Sequence, residues 1–223
     1  LEYRRILSIN PKKSVQKEAR LGILRAGKSL GDYSEIRKIG NQLLEQHELS
    51  SQEHQETLLV RARAARELDS SDTAIREFRH LADTARGKMQ AIAYYQIAEL
   101  LHEQEQWKAS NEEINYLIEN LPSYKEWKLQ SLLLMARNFW KLEDIFQANY
   151  IIDYLLKTDY SSQFNSRAKE LRQEIKNAEA QALSEKEKLI KQQSGEISLD
   201  STEKGLKMID APLEKTDTVT APH

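Results

Sequence analysis

The sequence predicts an all-α protein, an α-solenoid of stacked helical hairpins, and three observations lead to this fold class. Proline and glycine are scarce, with 4 and 7 among 223 residues, which disfavours turn-rich β-folds and favours helices. Turn-like breaks recur at Gly31, Asp69, Glu105 and Glu143, at intervals of 38, 36 and 38 residues. Apolar residues recur at three- and four-residue spacing on both sides of each break. A helical hairpin cannot bury its apolar face alone, so we expect the hairpins to stack.

The breaks align three positions of the hairpins, and these positions hold small or apolar residues in a repeating way. The positions seven residues before and five residues after the break are mostly small, which lets the two helices of a hairpin approach closely. The position twelve residues after the break is leucine in all four hairpins. In chain order the aligned residues are Leu24, Ala62, Ala98 and Ala136, then Ile36, Ala74, Ser110 and Ala148, then Leu43, Leu81, Leu117 and Leu155.

The chain begins with a segment that matches only half of a hairpin. Residues 1–10 have the pattern of a second helix, and Pro11 follows them as Pro122 follows the third hairpin. The two prolines are 111 residues apart, which equals three repeats of 37. Because proline cannot continue a helix, each one marks a helix end. We therefore expect the sequence to be the C-terminal part of a longer array whose first repeat is partial.

Residues 161–194 are predicted to form one long helix, because a segment rich in Ala, Glu and Lys continues without a break. An apolar seam runs along this helix from Leu171 to Leu189. We interpret it as a cap on the exposed end of the array, which solenoids need for solubility; a coiled-coil dimer arm is the alternative. Gly195 is predicted to end the helix. Residues 195–223 have the composition of a polar tail that is flexible or bound to a partner.

Composition excludes several classes of function. The net charge of −2 gives no general attraction to nucleic acid or to an anionic membrane surface. No apolar run reaches the roughly 20 residues of a membrane span. The absence of cysteine removes disulfides, thiolate nucleophiles and cysteine-based zinc sites.

Sequence motifs give no support for catalysis. Nucleotide-binding loops, the nucleophile elbow and the HExxH zinc motif are all missing. His47 and His54 lie near a helix–helix turn together with Glu48 and Glu53, but we interpret them as solvated surface residues and not as a metal site. The sequence therefore predicts a protein that is not an enzyme and that holds no cofactor and no metal.

The small residues at the aligned positions, with larger residues between them, resemble the tetratricopeptide repeat. The resemblance covers roughly residues 1–160, and HEAT-type hairpins are the structural alternative. Two features depart from the family pattern: the period exceeds the usual length of about 34 residues, and Gly40 stands where an aromatic residue is normal. The resemblance implies a right-handed superhelix that binds a partner protein or peptide in a concave groove lined by the first helices.

Carried over by register, the groove positions of the family combine an apolar floor with a ladder of basic side chains. Arginine occupies one position in three hairpins, and Glu99 interrupts the series. Guanidinium groups suit carboxylates, and large apolar side chains suit anchoring. The resemblance therefore implies a site for an acidic segment of another protein; alternatively, the arginines pair with neighbouring acids such as Glu67 and Glu103. The implied groove residues are Arg25, Lys28, Leu59, Arg63, Arg66, Tyr95, His102, Arg137, Trp140 and Lys141.

The predicted function is a non-enzymatic scaffold or adaptor for protein–protein interaction. The alternative is a regulatory or structural subunit whose long helix and tail bind the partner while the repeats act as a spacer. Aromatic residues concentrate between Tyr94 and Phe164, where they either fill the core of the last hairpin or, as Trp127 and Trp140, form an exposed docking patch. Helices and tails of this composition are similar to those of Gram-negative envelope proteins, including assembly and secretion machinery, which favours the periplasm over the cytoplasm by analogy alone.

Overall fold

The computed structural model describes residues 2–46, 48–158 and 162–209, apart from the side chains of residues 28–30 and 194–209. This part of the chain is all helical, with ten helices and no strand. The chain divides into two units, Leu1–Arg172 and Gln173–His223. The helices are α1 (Glu2–Ser8), α2 (Lys13–Leu30), α3 (Tyr33–Gln46), α4 (Ser51–Glu67), α5 (Ser71–Thr84), α6 (Lys88–Glu103), α7 (Trp107–Asn120), α8 (Lys125–Lys141), α9 (Ile145–Lys157) and α10 (Ser162–Ile209).

The helices α2, α4, α6 and α8 end at the four breaks that the sequence predicts. The residues at the breaks adopt left-handed backbone conformations, a region that side chains other than glycine rarely enter. At the second break the amide of Ser70 donates to the carbonyl of Ala65 at 3.1 Å, and equivalent bonds of 2.9 Å close the third and fourth turns. This bond is the mark of a Schellman cap. The four residues and their φ angles are Gly31 (67°), Asp69 (52°), Glu105 (60°) and Glu143 (63°).

The twelve aligned residues all lie in the core of the first unit. Each of these side chains is at most 3% exposed, so the predicted register of the hairpins is confirmed. Close approach is visible between α2 and α3, where a Cβ atom on Gly27 would lie 2.5 Å from Cδ1 of Ile36. Gly27, four residues before its break, therefore allows α2 and α3 to pack tightly.

Each helix from α1 to α8 packs against the next helix in the chain, and α2, α4, α6 and α8 also contact one another in that order. Partly buried ion pairs connect the second helices as well. Glu77 of α5 accepts hydrogen bonds from Arg37 of α3 at 3.2 Å and from Arg61 of α4 at 3.0 Å. One carboxylate thus joins three successive helices, and its bonds are shielded from the solvent that weakens exposed pairs.

The short helix α1 belongs to the packing of the first hairpin. Its Tyr3 ring lies over Gly22 of α2, where an added Cβ atom would be 2.5 Å from the ring atom Cζ. Arg4 forms an ion pair with Glu35 of α3. Residues 2–8 thus occupy the position that their second-helix pattern predicts, next to a first helix and a second helix of the following hairpin.

The helix α10 is longer than the sequence indicates. Gly195, its predicted end, lies inside it, and the helix also includes residues 195–209 of the predicted tail. A glycine within a helix costs only about 1 kcal/mol relative to alanine, so it does not by itself stop a run of helix-forming neighbours. Residues 210–223 lie outside the described residues. Leu171 is buried in the first unit as predicted, whereas Leu189 is 58% exposed, so the predicted seam does not continue that far.

Candidate functional site

The residues implied to line a groove lie on α2, α4, α6 and α8. Because these helices contact one another in order, equivalent positions on neighbouring helices come side by side. The Lys28 side chain and His47 lie outside the described residues. Six of the other groove residues fall into three groups: buried side chains, arginines paired with acids, and arginines without such partners. The remaining three, His102, Trp140 and Lys141, make other contacts.

Leu59 and Tyr95 are buried, with 7% and 8% of their surfaces exposed. The Tyr95 ring packs at a tilt against Trp127, with ring centroids 5.5 Å apart, and its hydroxyl donates to Glu99 at 3.2 Å. Burial, followed by the charge of Glu99, raises the pKa of Tyr95. Neighbouring side chains thus cover both residues in this conformation, and the place of Leu59 in an apolar groove floor and the role of Tyr95 as an anchor for a partner stay predictions.

Two of the groove arginines pair with acids on the next first helix. Arg25 binds Glu56 through two parallel bonds, Nε to Oε1 at 3.0 Å and Nη2 to Oε2 at 2.9 Å. Arg66 bonds to Glu99 at 2.5 Å and also pairs with Glu103. The alternative interpretation, in which arginines pair with nearby acids, is thus correct here for two residues, and it named Glu103 as a partner.

Arg63 of α4 and Arg137 of α8 differ from these arginines. Within the part of the chain that the structure describes, neither forms a hydrogen bond or an ion pair. Partial burial lowers the pKa of the Arg63 guanidinium, although arginine remains protonated at any physiological pH. A guanidinium carries five N–H donors in a planar fork. These two side chains occupy the same position in the repeat, and both keep their donors available to an external acceptor.

His102 contacts the core through a polar network that joins α6, α7 and α8. Its Nδ1 atom lies 2.5 Å from Oδ1 of Asn138, whose Nδ2 atom donates to Ser110 at 2.8 Å and to Asn111 at 2.7 Å. Because both amide hydrogens of Asn138 are used, its oxygen must accept, and Nδ1 of His102 carries the proton. The Ser110 hydroxyl donates to the carbonyl of Ala98 at 2.7 Å. His102 is therefore tied to the helix packing and is not an open groove residue.

The sequence carries a signal for this network that the repeat analysis missed. Asn138 stands five residues before its break, in a buried position with an exposed fraction of 0%. A polar residue at a core position of the repeat indicates a buried partner, because an unpaired amide there costs about 1–3 kcal/mol. The other hairpins have Ala26, Ala64 and Leu100 at this position.

Trp127 and Trp140, the residues of the alternative docking patch, are only partly open to solvent. Both side chains are half-buried, and the ammonium group of the exposed Lys141 lies 5.4 Å from the Trp140 ring centroid. This cation–π contact shields the ring. The aromatic residues of the last hairpin that do face solvent are on α9, and their exposed fractions are 77% for Phe146, 66% for Tyr150 and 39% for Tyr154.

A cleft of about 510 Å³ opens beside Arg63. Its apolar walls come from Leu24 of α2, Ile36 of α3 and Val60 of α4, and Gln96 of α6 borders it. Its volume lies in the range of pockets that bind small ligands. A described guanidinium without an acid partner thus lies next to apolar walls, a combination that neither the repeat pattern nor the charge distribution of the sequence reveals.

No family model matches the chain, and no curated protein or solved structure matches it. Within the described residues, no helix combines the length and the apolar character needed to cross a membrane.

Proposed function

We propose that residues 2–158 form a right-handed α-solenoid of the tetratricopeptide type and that this array is a non-enzymatic scaffold for a partner protein. The left-handed residues at intervals of 36–38 and the buried aligned positions support the repeat array. The start of α10, where Ala168 and Leu171 are buried, caps its last hairpin. The partner contributes an acidic segment that lies along α2, α4, α6 and α8.

The observation that carries this proposal is the pair of free guanidinium groups on α4 and α8. Arg63 and Arg137 hold one repeat position, and neither has an acid partner among the described residues. A hydrogen bond between a guanidinium and a carboxylate contributes about 1.5–3 kcal/mol when its surroundings exclude water. Arg63 and Arg137 lie on the first helices of the second and fourth hairpins. An extended acidic segment would satisfy both groups.

A peptide library tests the proposal when every acidic peptide has a counterpart with Gln and Asn in place of Glu and Asp. The full chain is compared with the Arg63→Gln/Arg137→Gln variant. The control is Arg76→Gln/Lys108→Gln, which removes the same charge from exposed residues of α5 and α7. Equal charge change separates a defined site from general attraction.

We expect the full chain and the control variant to prefer the acidic peptides, with affinity that falls as salt increases. The groove variant should bind these peptides at least about tenfold more weakly, which corresponds to about 1.4 kcal/mol. Equal binding of acidic peptides and their amide counterparts would contradict the proposal. So would a groove variant that binds as well as the control.

A second candidate function places the binding surface in the second unit. Three apolar side chains of its helix are more than half exposed, Leu183 at 60%, Leu189 at 58% and Ile190 at 53%. In this candidate the hairpins act as a spacer, and α10 binds a partner helix. Replacing these three residues with serine in the full chain distinguishes the two candidates, because the scaffold proposal requires peptide binding to remain unchanged.

A further inference from the structure

We propose that the cleft beside Arg63 binds a single acidic residue together with an adjacent branched aliphatic residue of the partner. The carboxylate bonds to Arg63, and the aliphatic side chain packs against Val60 and Tyr33 in the apolar wall. This inference rests on the proposed function, for which it names the ligand chemistry of one subsite.

The shape of the cleft supports a ligand with an apolar part. Leu24 and Ile36 line the cleft but are buried, with 1% and 3% of their surfaces exposed. Val60 and Tyr33 are half-buried and supply the accessible part of its apolar walls. Three helices contribute these walls, so the cleft is preformed by the packing of the first hairpin on α4. Covering such apolar surface contributes roughly 25 cal/mol per Å² of buried area.

The charges around the cleft call for one carboxylate and no more. Of the three guanidinium groups in the lining, Arg25 is bonded to Glu56, and Arg66 is bonded to acids of α6. Arg63 is the one without an acceptor in the described part of the chain. Glu67 also lines the cleft and is exposed. A dianion such as phosphate would meet repulsion from these acids, whereas one carboxylate matches one free guanidinium.

Desolvation at Arg63 points in the same direction. Partial burial lowers the pKa of this guanidinium, and no charge of an acid offsets the effect. The Arg63 side chain as a whole is exposed, so a ligand can reach its guanidinium, which has no acceptor in the described part of the chain. A ligand carboxylate supplies that acceptor, while the hydrocarbon part of the ligand covers the apolar walls.

Nuclear magnetic resonance of arginine Nε–H groups tests the site directly in the full chain. The Arg63 signal is assigned from its loss in Arg63→Lys. The probes are 4-methylpentanoate, its amide, acetate and the peptide acetyl-Leu-Glu-Leu-amide. Arg76→Gln is the matched control, because it removes one charge from an exposed arginine of α5 that does not line the cleft.

We expect 4-methylpentanoate and the peptide to shift the Arg63 signal, with acetate at least tenfold weaker and the amide without effect. Arg63→Gln should weaken both ligands at least tenfold, whereas Arg76→Gln should bind them normally. Equal effects of acetate or of the amide would overturn the proposal, as would unchanged binding by Arg63→Gln. Binding of the free acid without the peptide would also overturn it, because the site would then accept a small carboxylate only.

The outcome is separable from that of the proposed function. A library that yields acidic binders with no effect at the Arg63 signal leaves the scaffold in place and removes this subsite. A shifted Arg63 signal with both ligands, together with a library that shows no acidic preference, keeps the subsite and removes the extended groove. Thermal unfolding of Arg63→Gln at the wild-type temperature confirms that the variant is folded.

Discussion

Between α2 and α4 charged side chains meet near the surface, whereas between α6 and α8 neutral polar side chains meet inside the core. At the first junction Lys17 pairs with Glu53 at 3.2 Å and Arg25 pairs with Glu56 at 2.9 Å. At the second junction His102 bonds to the fully buried Asn138. The two junctions occupy the same place in the repeat, so the difference lies in chemistry and not in backbone geometry.

The comparison shows why the two ends of the array carry different kinds of surface. Ion pairs at the first junction leave side chains accessible, and the free Arg63 and its cleft lie beside them. At the second junction the equivalent surface is buried, because the Asn138 network and the contact of Tyr95 with Trp127 occupy it. Exposed pairs contribute about 0.2–1 kcal/mol each, whereas a satisfied buried network is costly to disrupt. Accessible charged side chains and buried polar contacts thus divide between the junctions.

The largest expected effect follows from Asn138→Ala. This change leaves Ser110, Asn111 and His102 without a common partner inside the core, and we expect a loss of about 3 kcal/mol in the free energy of unfolding. Urea unfolding measures the loss, with Asn149→Ala on the half-buried face of α9 as the control. A loss no larger than that of the control would show that the second junction does not depend on the network.

Overpacking of the aligned small positions should have the next largest effect. Ala62 and Ala136 are both 0% exposed, so tryptophan at either position must displace the facing helix. We expect each substitution to cost about 1–3 kcal/mol, and we expect Ser34→Trp, at an exposed position, to cost little. Thermal melts that remain unchanged for both core substitutions would remove the basis for treating the two junctions as equivalent.

A smaller effect is expected at Glu53, which closes the capping box of α4 with Ser50. Bonds from the Ser50 amide and hydroxyl, followed by Lys17, lower the pKa of Glu53 below its ordinary value of 4.5. Because the folded state has the lower pKa, this stabilisation is present above that ordinary value and is lost as the pH falls through the folded pKa. Glu53→Gln should cost about 0.5–1 kcal/mol at pH 7.

Stability curves of wild type and Glu53→Gln between pH 3 and pH 7 measure this contribution. The difference between them should shrink in the acid range. A difference that stays constant with pH would assign the effect to the lost backbone cap and not to the charge.

The smallest effect is expected for Arg25→Gln. The Arg25 side chain is 51% exposed, so solvent screens its pairing with Glu56, and we expect a loss of only about 0.5 kcal/mol that diminishes in high salt. Unfolding in low and high salt checks both points. If Arg25→Gln lowered the free energy of unfolding as much as Asn138→Ala does, the two junctions would not differ in the way proposed.

The backbone of this protein was largely predictable from the sequence, while its contacts were not. The breaks and the buried aligned positions were found because a helix repeats its apolar positions regularly, and small residues stand where helices approach. Burial of Tyr95 was missed because it depends on Trp127, which comes from the next hairpin. The pairing of Arg25 with Glu56, and the lack of an acid partner for Arg63 in the described part of the chain, were also not predictable from the pattern. A long side chain can reach several acids, and local geometry decides among them.

The second helices show a similar contrast on their solvent-facing side, because the register predicts which positions are equivalent but their residue types differ between hairpins. Phe146, Tyr150 and Tyr154 lie three, seven and eleven residues after their break, and the register alone identifies their counterparts in other hairpins. The counterparts in α3 and α5 are polar, and those in α7 are polar except for one tyrosine. The counterparts, in chain order, are Ser34, Lys38 and Gln42, then Asp72, Arg76 and His80, then Lys108, Glu112 and Tyr116.

The network around Asn138 also requires a particular order of the hairpins. Its members come from α6, α7 and α8, and they satisfy one another only when the third hairpin is followed by the fourth. The alanine or leucine at the position of Asn138 in the other hairpins offers no equivalent bond. Exchanging the fourth hairpin with the second would bury an unpaired amide at one junction and leave Ser110 without its donor at the other. The buried polar residues thus make the hairpins non-equivalent, and exchanging them would destabilise the protein.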